Sequence, residues 1–208
     1  MIIRSAAYFL IYYSFSDTDN NQGTSMYINI SEKAVSRLMS GGQIVTVSSV
    51  SKDGVADVMT AAWNTPFDSN MALVVLDLGH TTTRNILDTG KFVIGIPQKD
   101  QVKAINAVGS VHGRDCGDKF EYTKTPKEKS EKLGISVIPD QLAYIECELA
   151  DKETFEKTGV CIGKAVNVYV QDRLWDADHD SFAEGFKETL HYVSENKYYV
   201  EGKIIDVD

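Results

Sequence analysis

The sequence predicts a mainly β fold: a closed or partly closed antiparallel barrel of six or seven strands with three to five short helices. Three observations predict it. Short apolar or alternating runs recur between turn signals. They do not alternate regularly with long helical segments, which disfavours a doubly wound parallel sheet. The 208 residues, 43% of them hydrophobic and 10% aromatic, suit one domain with a sizeable core.

The elements follow in order. Ser31 can cap a short helix through Met39, which Gly41-Gly42 ends. Gln43 to Val50 alternates apolar and polar residues, as a strand with one wet face does. Lys52-Asp53-Gly54 is a hairpin signal, and Val55 to Thr60 returns. Pro66 to Asn70 reads as a loop, and Met71 to Asp77 as a buried strand. Thr81 or Thr82 caps a short helix ending near Gly90. Lys91 to Ile96 is a strand that Pro97 stops, and Asp100 to Val108 a short helix. Polar, lysine-rich residues from Val108 to Leu133 predict a loop with a helical piece near Pro126 to Leu133. Further strands are expected at Leu142 to Ala150, Val160 to Gln171 and Tyr198 to Ile205, with a helix over Ser181 to Leu190.

Charge and composition exclude several classes. A formal net charge of -9 disfavours a general nucleic-acid binder. Cys116, Cys147 and Cys161 are odd in number and widely spaced, so buried thiols in a reducing, cytoplasmic setting are expected rather than disulfides or zinc. Ala6 to Phe15 is apolar but too short to span a bilayer. Ser14 and Ser16 give that run some features of a signal peptide. The domain pattern starts only after Met26. Residues 1–25 are therefore expected to be an extension, and 26–208 the domain.

Two motifs carry chemistry. Met59-Thr60-Ala61-Ala62-Trp63-Asn64 ends a strand with small side chains, where a planar group can approach the backbone. His80-Thr81-Thr82-Thr83-Arg84-Asn85-Ile86 opens a helix. Its free N–H groups, hydroxyls and positive dipole end suit a phosphate. Taken separately, each also reads as ordinary packing and capping. Together they suit a flat ring with a phosphate tail. No G-x-G-x-x-G, Walker A loop or G-x-S-x-G elbow is present. Asp176, Asp178, His179 and Asp180 match no defined metal-ligand spacing and read as a solvated loop. No metal site and no protein acid or base is expected.

In order and spacing, Val45 to Pro97 resembles the flavin reductase-like family of FMN-binding split barrels, which includes the flavoredoxins. The matching pieces are Asp53-Gly54, Met59 to Trp63, the threonine-rich turn with Asn85-Ile86, and Gly90-Lys91-Phe92-Val93-Ile94-Gly95-Ile96-Pro97. Further on, His112-Gly113-Arg114-Asp115, Asp118-Lys119-Phe120, Leu190-His191-Tyr192 and Tyr198 to Gly202 extend the likeness. His112 stands where the family often has Ser, and Asn70-Met71 replaces a usual Pro-Pro pair.

The resemblance implies an antiparallel split β-barrel of Greek-key type with about six strands, assembled as a homodimer with noncovalent FMN near the interface. Thr60, Ala61, Ala62 and Trp63 would line the ring and ribityl chain. Leu78, Gly79, His80, Thr81 and Thr83 would surround the ribityl and phosphate, with Lys119 as an extra cation. The implied activity is hydride transfer from NAD(P)H to flavin, with the ring carrying the chemistry. The alternative is a non-enzymatic FMN electron carrier of flavoredoxin type that passes electrons to a protein partner. A pyridoxamine-phosphate oxidase-like enzyme fits less well, because no basic pocket for a second phosphate is obvious.

Overall fold

The computed structural model describes residues 42–176, 178, 181–182, 189–194 and 196–200. The first half of that span contains β1 (Val45–Val50), β2 (Ala56–Ala61), β3 (Asn64–Asp68), β4 (Met71–Val75), α1 (Thr81–Thr89), β5 (Lys91–Ile96) and α2 (Val102–Gly109). Next come α3 (Gly113–Cys116), α4 (Lys119–Thr123), β6 (Glu128–Lys129), β7 (Ser136–Val137), β8 (Ala143–Leu149), α5 (Lys152–Thr158) and β9 (Val160–Val170). Short strands β10 (Trp175–Asp176), β11 (Ser181–Phe182), β12 (Leu190–Ser194) and β13 (Lys197–Val200) follow.

Seven strands make one sheet in the order β2-β1-β5-β8-β9-β4-β3, and every pairing is antiparallel. The sheet curls into a half-barrel, so the fold is mainly β with a few short helices, as the sequence predicts. β1 and β2 meet in a tight hairpin, where Gly54 N donates to Ser51 O at 3.0 Å. The inner face holds Val45, Val47, Val74, Ile86, Phe92, Ile94, Cys147, Phe155 and Cys161. A second apolar cluster packs Ala56 and Val58 of β2 against Ile105 and Val108 of α2 and Phe120 of α4. Burial pushes the Cys147 and Cys161 thiols up to about 12, so both are inert at neutral pH.

Several local expectations need correction. β1 has no wet face: Thr46, Ser48 and Ser49 are as buried as Val45 and Val47. Helix α1 packs on the Val45, Val47 and Ser49 face, where Asn85 donates to Ser49 Oγ at 3.1 Å. Thr46 Oγ1 donates to Gln141 Oε1 at 3.0 Å. The loop expected from Pro66 is mostly strand β3. It is a sheet edge, where a residue lacking an N–H is tolerated.

Strand β6 and a turn replace the helix expected near Pro126 to Leu133. Alternating charges there mimic an exposed helical face, but the backbone N–H groups of Lys132 and Leu133 donate to the buried Glu146 carboxylate instead. Three short helices, α3, α4 and α5, arise where none was expected. α4 starts because Asp118 accepts from Phe120 N and Glu121 N, and α5 because Asp151 accepts from Thr154 N. Ser181–Phe182, read as a helix start, form strand β11. The expected helix over 31–39, the boundary near Met26 and residues 201–205 of the last strand lie outside the described residues.

Candidate functional site

Strand β2 runs into the site. Its last residues, Met59, Thr60 and Ala61, are followed by Ala62 and Trp63 before β3 begins. Asn64 Nδ2 donates to Ala61 O at 3.1 Å and Gln43 O at 2.9 Å, which fixes the turn. Trp63 is 55% exposed, so it is not a core residue. With Thr60, Ala61, Ala62, Leu78 and His80 it borders an open cavity of about 580 Å³.

His80, not a threonine, is the N-cap of α1, and its side chain makes no cap bond. The three threonines have separate tasks. Thr83 is fully buried and its hydroxyl donates to Asp77 O at 2.7 Å. Thr82 is buried with its hydroxyl on the Asp57 carboxylate. Thr81 lines a second, tight cavity of about 90 Å³, with Thr60, His80, His112, Gly113 and Lys119. Arg84 is exposed and lines neither cavity. Of the predicted residues, Thr60 and His80 border both cavities, Ala61, Ala62, Trp63 and Leu78 only the open one, and Thr81 and Lys119 only the tight one. Gly79 and Thr83 line neither.

The tight cavity has features that suit a compact anion. Lys119 is buried, with its ammonium 3.4 Å from Asp57 Oδ1. The first turn of the nine-residue helix α1 sits beside it. Two glycines keep the walls thin. A Cβ on Gly113 would come within 2.5 Å of Asp57 Oδ1 and 2.9 Å of Thr81 Cβ. A Cβ on Gly109 would collide with the Thr60 hydroxyl. His80 Nδ1 is buried and has no hydrogen-bond partner among the described residues. A buried polar atom is seldom left so, and here it borders the cavities. The donor set therefore fits a phosphate beside a ring.

His80 and His112 face each other with ring centroids 5.6 Å apart. Burial holds the His80 imidazole below its ordinary range; His112 and Lys119 push the same way, while Asp77 and Asp57 oppose. The unfolded chain thus takes up a proton here more readily than the folded one. The stability this group contributes is full above the ordinary imidazole pKa and falls as the pH drops towards the folded value. Between about pH 7.5 and about 5.5, the ordinary imidazole range, the melting point of the wild type should fall more steeply than that of His80→Asn. Parallel curves would contradict this.

Asp57, Gly109, His112 and Gly113 were not among the predicted site residues. His112 and Gly113 belong to a segment that carried the resemblance. Asp57 offers no local signal, since a single Asp in an apolar strand reads as a solvent-facing residue. Among the described residues, no group of three His, Cys, Asp or Glu side chains is placed to hold a metal. No helix among them is long and apolar enough to cross a membrane.

A curled half-barrel with a ring-sized opening joined to an anion-sized one defines a class of nucleotide-cofactor protein. The chain belongs to the flavin reductase like domain family, which it matches over residues 36–197. It is 29% identical over 184 residues to YddH of Escherichia coli (strain K12), an uncharacterised protein; the match covers 86% of this chain and 97% of that one. Two of the solved structures that share the fold illustrate it. One is an FMN-binding domain of a flavin reductases-like enzyme from Shewanella baltica OS155, with TM-score 0.71, 24% identity, and 80% and 90% of the two chains covered. The other is flavoredoxin of Desulfovibrio vulgaris (Miyazaki F), with TM-score 0.71, 22% identity, and 86% and 97% covered.

Proposed function

We propose that this protein binds FMN noncovalently and transfers reducing equivalents from NAD(P)H to flavin. The observation that carries this reading is the junction of the two cavities at Thr60 and His80, with buried Lys119 and the start of α1 at the narrow end. Thr81, His80 and Lys119 would hold the phosphate, and Thr60 to Trp63 with Leu78 would flank the ring. A bound flavin accepts hydride and passes electrons on. The protein's own groups would bind and orient, and the backbone at Ala62 and Trp63 would favour charge on the ring. No side chain is assigned a proton transfer.

A homodimer completes the proposal. Phe67 and Val168 are exposed large apolar residues, 53% and 60% accessible. Val168 borders a mostly apolar opening of about 390 Å³ that Val45, Ile94 and Ile145 also line, and Phe67 lies on β3 between its lining residues Pro66 and Asp68. A second copy would cover such a patch. The buried thiols suit a reducing, cytoplasmic setting.

The alternative is an electron carrier. The net charge of -9 suits docking to a basic protein partner. One preparation tests both readings. The purified protein should elute as a dimer, carry or take up FMN near one per chain, and lose its flavin absorption anaerobically on addition of NADH or NADPH. Tight FMN without nicotinamide oxidation favours the carrier. A colourless protein that takes up no FMN sinks both.

A further inference from the structure

Asp57 stands behind the wall of the tight cavity. It is buried on β2 and does not itself border the space. Three residues that do border it lean on its carboxylate. Thr82 of α1 donates its hydroxyl to Oδ2. Lys119, first residue of α4, sits 3.4 Å from Oδ1. Gly113, first residue of α3, packs its backbone so closely on Oδ1 that a Cβ would come within 2.5 Å. One carboxylate thus ties together the starts of three helices, α1 from one part of the chain and the neighbouring α3 and α4 from another.

Among the described residues Oδ1 makes no hydrogen bond; its contact with Lys119 is an ion pair of looser geometry. An ammonium carries three donors, and this contact engages at most one. The rest of the Lys119 head is left for the cavity that the residue borders. We propose that Asp57 is a positioning residue for the phosphate end of a flavin nucleotide, acting through Lys119 and the first turn of α1. This rests on the flavin reading above. It also sets two effects against each other. The Asp57 charge repels a phosphate, so simple Coulomb attraction would improve without it. Yet a buried Lys119 without its counter-charge is costly to keep in place, and the Thr82 hydroxyl of α1 loses a charged acceptor on β2. Positioning prevails, so removing the carboxylate weakens phosphate capture.

The test is a cycle of Asp57→Asn, Lys119→Met and the double variant. Each is titrated with FMN and with riboflavin, which lacks the phosphate, by quenching of flavin fluorescence. Asparagine still accepts from Thr82 but carries no charge. FMN affinity should fall about 10- to 100-fold in each single variant, with riboflavin affinity unchanged within about twofold, and the double variant should lose no more than Lys119→Met alone. Tighter FMN binding by Asp57→Asn overturns the proposal, as do equal losses for FMN and riboflavin or losses that multiply in the double variant. If Asp57→Asn does not fold, the double variant, with the ion pair neutralised, still decides. FMN binding equal to that of Lys119→Met supports the role, and a further tenfold loss ends it. A wild type that binds neither flavin removes the flavin reading and this role together. Wild-type binding with unchanged affinity in Asp57→Asn removes this role alone.

Discussion

Replacing Glu146 by alanine should lower the unfolding free energy by about 3–4 kcal/mol and release the segment around β6 and β7 from the barrel. Glu146 is fully buried on β8. Its Oε1 accepts from Lys132 N at 2.8 Å and Asn167 Nδ2 at 3.0 Å; its Oε2 accepts from Leu133 N at 2.5 Å and Ser130 Oγ at 3.0 Å. Ser130 Oγ in turn accepts from Ile135 N at 3.1 Å. All four sites of a carboxylate are filled. Hydrogen bonds to a charged group contribute about 1.5–3 kcal/mol each. Lys132 is exposed, so water recovers part of the loss in the variant, and the expected total stays below the sum. Denaturant midpoints measure it, and hydrogen exchange at the Lys132 and Leu133 amides should turn from slow to fast. Glutamine is no substitute, because its NH₂ would face donors.

Burial alone would raise the Glu146 pKa. The bonds from Asn167, Lys132, Leu133 and Ser130 outweigh it and hold the group below the usual carboxylate range. Its contribution is therefore full above the ordinary carboxylate pKa and is lost as the pH falls through the lower, folded value. Acid unfolding of Glu146→Gln should accordingly be shallower than that of the wild type. Unchanged acid sensitivity would remove Glu146 from that account.

Gly113→Ala should act on the site as well as on stability. At an unstrained position glycine to alanine usually stabilises by about 0.4–1 kcal/mol. Here the added Cβ would meet Asp57 Oδ1 at 2.5 Å, and Thr81 at 2.9 Å for Cβ and 3.0 Å for Oγ1. None of these can retreat easily, because Asp57 is buried and Thr81 opens α1. Overpacking of this kind costs about 1–3 kcal/mol, and each kcal/mol lowers the melting point by about 2–4 °C at this size. FMN affinity should fall at least tenfold, about 1.4 kcal/mol or more, with a smaller change for riboflavin. A variant as stable as the wild type with full FMN affinity would show that α3 moves aside freely.

The sheet was legible where local pattern and burial agree. Lys91 to Ile96 and Val160 to Gln171 are apolar runs bounded by glycine or proline, and they became β5 and β9 within a residue or two. Helix α1 was legible through its threonines, although His80 took the cap and Thr82 and Thr83 turned inward to Asp57 and Asp77. The segment near Pro126 to Leu133 was misread because its partner, Glu146, lies more than ten residues downstream. Asp57 was missed for the same reason. Its burial depends on Lys119, which the sequence offered only through the family resemblance. The helices α3 to α5 are too short to show a period. Thr60 to Trp63, expected to line a ring, lie together on one opening. The division of labour between a tight and an open cavity needed the third dimension.

The sheet order has a mechanical corollary. β2 and β3 stand at opposite ends of the seven-strand order, yet only Ala62 and Trp63 separate them in the chain. The ladder's two ends are thus chained together by a joint two residues long. Any breathing of the half-barrel, wider or narrower, must pivot at that joint. The same two residues border the open cavity. A flat ligand seated there would act as a wedge in the hinge, so that occupancy of the pocket and stiffness of the whole barrel become a single property.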